Sequence, residues 1–196
     1  MWLNSSLFFV YTGLEVVAGQ WTFSVLTDAR GVGVGAAGIA VSAYWASLTL
    51  GRVAFGALAA RHSSVRLLRV ALVGASTAAL TLWLAPQPAV AFSGLAALGF
   101  TFGPIFPLLV TMTPGRVGPR HVTQAIGIQV AVAYLGTAIL PGTAGVLASS
   151  VGLQSVPPLL FTGTVVLAVL YHVPLRATPS DFARFDTTAV VISRRS

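Results

Sequence analysis

The sequence predicts an all-α membrane protein with six transmembrane helices, and three observations lead to this fold class. Hydrophobic residues make up 56% of the chain and charged residues only 8%, which leaves too little polar surface to cover a soluble globule. Six windows of about 20 mostly apolar residues are long enough to span a bilayer as helices. The arginines lie in alternate gaps between these windows, as expected for a chain that crosses a membrane repeatedly.

Short, turn-like connectors join the six windows, so consecutive helices are expected to be antiparallel neighbours. The polar stretch after the last window is predicted to be a disordered cytoplasmic tail. The predicted spans cover residues 3–26, 34–60, 67–85, 89–112, 122–149 and 153–174 within a domain of residues 1–175, and the tail covers residues 176–196.

The arginines also predict the orientation of the chain, because Lys and Arg near span ends stay on the cytoplasmic side. Nine arginines lie after the second span, after the fourth span or in the tail, so both termini are expected in the cytoplasm. The lysine-free sequence, rich in Ala, Gly and Arg, suggests a GC-rich bacterial genome and therefore a bacterial plasma membrane. The nine residues are Arg61, Arg66, Arg69, Arg116, Arg120, Arg176, Arg184, Arg194 and Arg195.

Several classes of function are excluded by the sequence chemistry. The net charge of +7 would suit nucleic acid, but the arginines lie in membrane-facing gaps, where anionic lipid headgroups are their expected neighbours. The sequence has no cysteine, nucleophile elbow, zinc-protease helix or phosphate-binding loop, so neither an enzyme nor a cofactor is predicted. His62, His121 and His172 fall at predicted cytoplasmic span ends, and no metal site is predicted.

An internal repeat relates the second span to the fifth at an offset of 89 residues. Chance convergence in helices rich in Gly and Ala is one explanation, and a three-plus-three inverted repeat is the other. The matching positions are Ala36, Gly38, Ile39, Val41, Gly56, Leu58 and Ala59, which recur as Ala125, Gly127, Ile128, Val130, Gly145, Leu147 and Ala148.

Four stretches of the sequence carry a resemblance to a known family. They are residues 11–21 in the first span, residues 51–61 with Gly51, Arg52, Gly56 and Arg61, residues 99–107 in the fourth span, and residues 127–136 with 141–145 in the fifth. Together they resemble the C-terminal six-helix half of a major facilitator superfamily transporter, in the branch of the fucose-permease-like sugar transporters. One departure is Ala60, where the family's better-kept cytoplasmic loop usually has an aspartate. A larger departure is that the family normally has twelve spans.

The resemblance implies half of a major facilitator fold and a proton-coupled secondary transporter that moves a small polar solute, such as a sugar, by alternating access. It also implies that a second six-helix half, a homodimer or another polypeptide completes the transporter. Two alternatives stay open: a drug or metabolite efflux transporter of the same superfamily, and a truncated or accessory membrane protein without transport activity of its own.

Glu15 is the predicted proton-coupling residue. It lies near the middle of the first span, where a charged, unpaired carboxylate is costly. Burial raises the pKa of a carboxyl group and a nearby cation lowers it, so a carboxyl that alternates between such surroundings can take up and release a proton. The alternative is a permanently neutral glutamate bonded to a neighbouring helix.

Polar stripes on apolar helices predict the lining of a cavity. Arg52 lies about 13 Å of helix rise from Arg61, too far to reach the headgroups, and is expected to hold Glu15, to bind an anionic or hydroxyl-rich solute, or to bond carbonyls at a gate. A structural arginine that bridges to interfacial groups is the alternative. The predicted lining residues are Asn4, Tyr11, Thr22, Trp45, Thr49, Arg52, Phe106, Gln124, Gln129 and Tyr134.

Prolines in the fourth and fifth spans predict bending points. Pro104 and Pro107 each remove a backbone donor, so a kink or local unwinding is expected between Gly103 and Pro107, and Pro141 is expected to do the same in the fifth span. With Arg61 of the cytoplasmic loop, these four residues are the predicted gating or hinge residues. Static kinks are the alternative interpretation.

Overall fold

The computed structural model describes residues 2–117 and 121–172, and all regular secondary structure within those two ranges is helical. This confirms the predicted all-α class. The predicted tail and Arg120 lie outside the described residues. The helices are α1 (Trp2–Ser24, extended by a π-helical turn, Val25–Ala29), α2 (Val34–Ala59), α3 (Ser64–Leu84), α4 (Pro88–Phe102), α5 (Ile105–Met112), α6 (Pro114–Val117), α7 (Val122–Val151) and α8 (Val156–His172).

Five helical segments in the described ranges are long and apolar enough to cross a membrane. The helix α1 is not among them, since polar side chains such as Glu15 and Gln20 lower its mean hydropathy. That α1 spans the bilayer as a sixth helix therefore stays a prediction, as do the span boundaries. The five segments are Val34–Ala59, Ser64–Leu84, Pro88–Met112, Val122–Val151 and Leu153–His172.

Local sequence accounts for several helix ends. The hydroxyl of Ser63, just before α3, accepts a hydrogen bond from the backbone N–H of Arg66 at 3.4 Å. Pro88 begins α4, at a position where a backbone N–H would have no partner within the helix. Its missing N–H therefore costs no helical hydrogen bond. Gly152 ends α7 with a φ of 109°, which residues with a side chain rarely adopt. These ends keep the connectors tight, so consecutive helices turn back on each other.

The fourth predicted span is broken into two helices, α4 and α5, at Gly103 and Pro104. Because Pro104 and Pro107 lack a backbone N–H, the carbonyls of Phe100 and Gly103 lose their usual helical donors. The local interruption predicted here is present. Helix α7, in contrast, continues without a break through Pro141, so the local unwinding predicted there is absent.

The core is built around α1, which contacts α2, α4, α5, α7 and α8. Its most extensive contact is with α7, while α2 packs on α4, and α3 packs on both α4 and α8. Two crossings bring backbones together: a Cβ on Gly51 of α2 would meet the carbonyl of Phe100 in α4, and a Cβ on Gly136 of α7 would meet the carbonyl of Phe9 in α1. Small residues at both points allow this close approach.

These two crossings match each other, with an offset of 91 residues from Phe9 to Phe100 and of 85 residues from Gly51 to Gly136. The second value differs by about one helical turn from the repeat offset that the sequence predicts. The matched contacts support the inverted repeat, which stays a prediction. Buried residues recur at the same offsets: Leu7, Tyr11, Leu14 and Ala18 match Leu98, Phe102, Ile105 and Leu109, and Ala40, Tyr44, Leu48 and Gly51 match Ala125, Gln129, Ala133 and Gly136.

Candidate functional site

A groove of about 460 Å³ lies between α1, α2, α5 and α7. Its walls combine hydroxyl groups, an aromatic ring and two ionisable side chains of opposite charge. Such a concave mixture of apolar surface and a few polar groups is typical of a small-molecule site. The lining residues are Tyr11, Thr12, Glu15, Arg52, Phe106, Pro107, Val130, Ala133, Tyr134 and Thr137.

Glu15 of α1 and Arg52 of α2 form an ion pair in this groove, with 3.5 Å between Oε1 and Nη2. The two partners differ in exposure, because 49% of the Arg52 side chain is accessible but only 15% of the Glu15 side chain. Both side chains line the groove, and Arg52 is the more accessible member of the pair. The predicted pairing of these two residues is seen in the structure.

Two tyrosines hold the helix segment that carries Glu15. The hydroxyl of Tyr11, one helical turn before Glu15, donates a hydrogen bond to the Glu15 carboxylate and also lies 3.0 Å from the carbonyl oxygen of Phe102. The hydroxyl of Tyr44 on α2 donates to the backbone carbonyl of Glu15 at 2.8 Å. Both tyrosines are fully buried, so the carboxylate is oriented by protein groups rather than by water.

The break between α4 and α5 faces Arg52. Because Pro107 has no N–H, the carbonyl of Gly103 is free to point out of its own helix, and Nε of Arg52 lies 3.4 Å from it. A Cβ on Gly103 would collide with the backbone of α2 at Leu48 and Arg52. The glycine and the proline together allow α2 and its arginine to lie against the broken helix.

Aromatic rings form the apolar floor of the groove. Phe106 packs edge to face on Phe8 with 5.3 Å between ring centroids, and Tyr11 packs in the same way on Phe102 at 5.8 Å. Edge-to-face pairs of this kind fix ring positions as well as burying area. Phe106 itself lines the groove, as predicted from the sequence.

Two hydrogen bonds attach α7 to α1 beside the groove. Thr12 Oγ1 lies 2.8 Å from the carbonyl oxygens of both Ala133 in α7 and Phe8 in its own helix, so the two acceptors share its single proton. Trp21 Nε1 donates to the carbonyl of Pro141 at 3.0 Å. The Trp21 ring also lies against Gly145, where a Cβ would meet it. This attachment sets the position of the α7 wall.

The structure brings four of the predicted lining residues together in the groove with the predicted proton-coupling residue, Glu15. The four are Tyr11, Arg52, Phe106 and Tyr134. The other predicted lining residues do not line it. Asn4, Thr22 and Gln129 are buried, and Trp45, Thr49 and Gln124 are exposed away from it.

Individual contacts explain three of these placements. Gln129 Oε1 accepts a hydrogen bond from Thr113 at 3.0 Å, the Trp45 ring lies over Gly19, and Thr49 bonds the carbonyl of Trp45 in its own helix. These side chains satisfy helix contacts or face outward.

The predicted gating residues are scattered. Gly103 and Pro104 lie at the helix break, and Pro107 lines the groove. Pro141 lies within α7, where its carbonyl accepts from Trp21, and Arg61 is exposed just beyond the end of α2.

Several residues that line or adjoin the groove were not predicted from the sequence. One face of α7 contributes Val130, Ala133 and Thr137 together with Tyr134. Their spacing of three and four residues is the periodicity of one helix face, so it could have identified them. Thr12 and Tyr44 carry no comparable signal, because their roles depend on which helix packs opposite.

Arg30, in the connector between α1 and α2, links this connector to α3, since its Nη2 donates to the carbonyl of Leu82 near the end of α3 at 2.8 Å. Burial lowers the pKa of this guanidinium, which nevertheless stays charged at neutral pH.

Known proteins share this architecture. The sequence profile of the Major Facilitator Superfamily matches residues 3–192. The curated protein "Bypass of stop codon protein 6" of Saccharomyces cerevisiae (strain ATCC 204508 / S288c) is 28% identical over 167 residues, which cover 80% of this chain and 34% of that protein. A crystal structure of a mutant of the peptide transporter POT, in complex with alafosfalin, superposes with a TM-score of 0.75 at 15% identity, covering 97% of this chain and 44% of that one.

The chain spans about a third of the yeast relative and less than half of the solved transporter. At 15% identity the structural likeness describes the fold alone, whereas the profile covers nearly the whole sequence. The helical segments long enough to cross a bilayer agree with both findings, and the chain is an integral membrane protein of a transporter family. It belongs to the Major Facilitator Superfamily.

Proposed function

We propose that the chain forms one half of a secondary active transporter that moves a small polar solute by alternating access, with proton coupling through Glu15. The observation that carries this proposal is the Glu15–Arg52 ion pair in the wall of an open groove. An ionisable side chain inside a membrane domain that faces a cavity marks a solute or proton pathway.

Tyr11 supports the coupling because it suits both protonation states of Glu15. A hydroxyl has one proton to donate and lone pairs to accept. When Glu15 is ionised, Tyr11 donates to its carboxylate. When Glu15 is protonated, the carboxyl donates to the Tyr11 oxygen, and Tyr11 turns its own proton to the carbonyl of Phe102, 3.0 Å away. The Tyr11 hydroxyl and the Glu15 carboxyl keep a hydrogen-bond partner in both states. Protonation of Glu15 therefore avoids the free-energy cost of an unpaired buried polar group.

The groove chemistry supports a hydroxylated solute, of which a sugar is the class implied by the family resemblance. Tyr134 and Thr137 on α7 offer hydroxyls to a solute, and Phe106 on α5 offers a ring face for apolar C–H surface. These groups line the same groove as Glu15 and Arg52. A solute bound in the groove therefore contacts both the neutral groups and the ion pair.

The groove is open on the side where a second half would lie. Tyr134 is 71% exposed although it lines the groove, and the α2 and α7 faces expose further large apolar side chains, including Trp45, Ile39 and Val146. Because the chain spans only part of its relatives, we propose that a second six-helix half, or a second copy, covers this face. We further propose a bacterial plasma membrane with both termini in the cytoplasm, from the arginine distribution.

Uptake into proteoliposomes under an inward-directed proton gradient tests the function. The probes are radiolabelled L-fucose, D-glucose and D-glucuronate. Wild-type protein is expected to accumulate at least one of them above its level without a gradient, and Glu15→Gln is expected to lose accumulation while it still exchanges labelled for unlabelled probe. Asp28→Asn is the matched control, because Asp28 is an exposed acid outside the groove. Absence of gradient-driven uptake by the wild type, both alone and with a co-expressed partner half, would overturn the proposal.

A further inference from the structure

We infer that the transported solute carries a carboxylate group, which takes Arg52 from Glu15 so that solute binding and proton uptake occur together. This inference rests on the proposed transport function and names the chemical class of its solute. The juxtaposition that carries it is an accessible guanidinium whose present partner is a less accessible carboxylate.

The charges in the groove favour an anion. Among the described residues that line it, Arg52 is the one cation and Glu15 the one acid. A cationic solute would have to pair with Glu15, of which only 15% of the side chain is accessible. An anionic solute would pair with Arg52, of which 49% of the side chain is accessible.

The contacts of Arg52 are loose. Its Nη2 lies 3.5 Å from Glu15, and its Nε lies 3.4 Å from the carbonyl of Gly103. Both distances are longer than the usual N–H···O separation of about 2.9–3.0 Å. The guanidinium has five N–H donors in a planar fork that fits a carboxylate with two parallel bonds. A solute carboxylate therefore gains two well-formed bonds where Glu15 makes one long contact.

Displacement of Glu15 leads to proton uptake. Once Arg52 binds the solute, an ionised Glu15 would be a carboxylate without a cation inside the helix bundle, which is costly. Glu15 instead takes a proton from water, and Tyr11 accepts the new hydrogen bond while it donates to Phe102. The charge balances: before binding the pair is one anion and one cation, and afterwards Arg52 is paired with the solute carboxylate while Glu15 is neutral.

The same charge balance favours a monocarboxylate over a phosphate dianion. One guanidinium neutralises one negative charge, and a dianion would leave the groove with an uncompensated charge. The hydroxyls of Tyr134 and Thr137, which line the same groove, suit hydroxyl groups on the rest of the solute. The expected class is therefore a small hydroxylated monocarboxylate.

Three matched pairs of probes test this class by calorimetric titration of the full chain in nanodiscs: lactate with 1,2-propanediol, gluconate with glucitol, and glucuronate with glucose. At least one carboxylate should bind about tenfold or more tightly than its neutral counterpart, as a bidentate charge-assisted contact provides. Titration in two buffers of different ionisation enthalpy should give an uptake of about one proton for each bound carboxylate.

Variants distinguish the exchange from general attraction of anions. Arg52→Gln should reduce the carboxylate affinity to that of the neutral probe. Glu15→Gln should bind the carboxylate more tightly than wild type, since the competitor for Arg52 is gone, and should take up no proton. Arg69→Gln, an exposed arginine on α3 outside the groove, is the matched control and should behave like wild type.

Every outcome decides the inference. If no carboxylate binds better than its neutral counterpart, or if binding takes up no proton, the ion-pair exchange is wrong. Gradient-driven uptake of L-fucose or D-glucose would then leave the proposed transport function standing. If the flux assay also shows no uptake of any probe, the proposed function fails with it.

Discussion

Helices α1 and α2 contribute charged residues to the groove, whereas α5 and α7 contribute neutral residues from matched positions. With the offsets of 91 and 85 residues found at the two close crossings, Glu15 of α1 matches Phe106 of α5, and Arg52 of α2 matches Thr137 of α7. All four line the groove. The first pair carries opposite charges in contact, and the second is a neutral aromatic and hydroxyl surface.

The backbone sets the positions of the matched residues, and their side chains set the chemistry at each position. The crossing of α2 on α4 and the crossing of α7 on α1 each place a glycine against a phenylalanine carbonyl, so matched residues lie at corresponding distances from the two crossings. In the proposed transport cycle, the ion pair on α1 and α2 takes part in proton coupling, and the hydroxyl groups of α7 bind uncharged parts of the solute.

The largest effect should come from the two crossings themselves. Gly51→Ala and Gly136→Ala each place a Cβ against a backbone carbonyl, which cannot move as a side chain can. Each should lower the free energy of unfolding by about 2–3 kcal/mol, the cost of overpacking a close contact. Thermal unfolding in detergent measures this.

Gly56→Ala is the control, because nothing lies within 4 Å of its Cβ position. Similar losses at Gly51 and Gly136 would sharpen the match between the two crossings. A loss at one of them alone would break it.

An intermediate effect is expected for Tyr11→Phe, which makes the charged side resemble the matched Phe102. The variant keeps the ring but removes the hydroxyl bonded to Glu15. Gradient-driven uptake should fall about tenfold, since a hydrogen bond to a charged group contributes roughly 1.5 kcal/mol or more. Uptake rates in proteoliposomes measure the change.

Tyr44→Phe is the comparison for that experiment, because the Tyr44 hydroxyl bonds the backbone carbonyl of Glu15 rather than its carboxylate. This variant should lower the melting temperature and leave the number of protons per solute unchanged. Equal effects of the two variants on coupling would count against a specific role for the Tyr11 hydroxyl.

The smallest effect is expected for Thr12→Val, which removes the bond from α1 to the carbonyl of Ala133 in α7. Gly103, the matched residue on the other side, has no hydroxyl. Bonds of this kind between membrane helices average about 0.6 kcal/mol, so a loss of that size in unfolding free energy is expected.

Thr101→Val is the control for this change, since the Thr101 hydroxyl bonds carbonyls of its own helix. If it destabilises the protein as much as Thr12→Val, the bond between α1 and α7 adds nothing specific.

The sequence predicted site residues correctly where a side chain is unfavourable in an apolar helix. Glu15 and Arg52 are ionisable residues inside apolar windows, and such residues need a partner or water whatever the fold. Tyr11 was found because it lies one turn from Glu15 on the same helix face. Pro104 marked a true break, since a missing N–H acts locally.

The sequence was a weaker guide where the partner helix decides. Thr22 falls on the polar stripe of α1 and Gln129 was predicted to line the cavity, yet both side chains are buried. Pro141 resembles Pro104 locally, but α7 stays continuous around it. The sequence repeat has an offset of 89 residues between the second and fifth spans, whereas the matched glycines Gly51 and Gly136 are 85 residues apart.

Composition, window length and arginine placement were enough to define an all-helical membrane protein and to single out one acid and one arginine, because the cost of burying charge and polar backbone in lipid depends on the residues alone. The tertiary structure decided which groups meet. The Tyr44 hydroxyl bonds the backbone carbonyl of Glu15, and the carbonyl of Gly103, which Pro107 leaves without a helical donor, lies beside Arg52. Thr137 lines the same groove. Those contacts join residues far apart in the chain, and packing of helix against helix sets their distances.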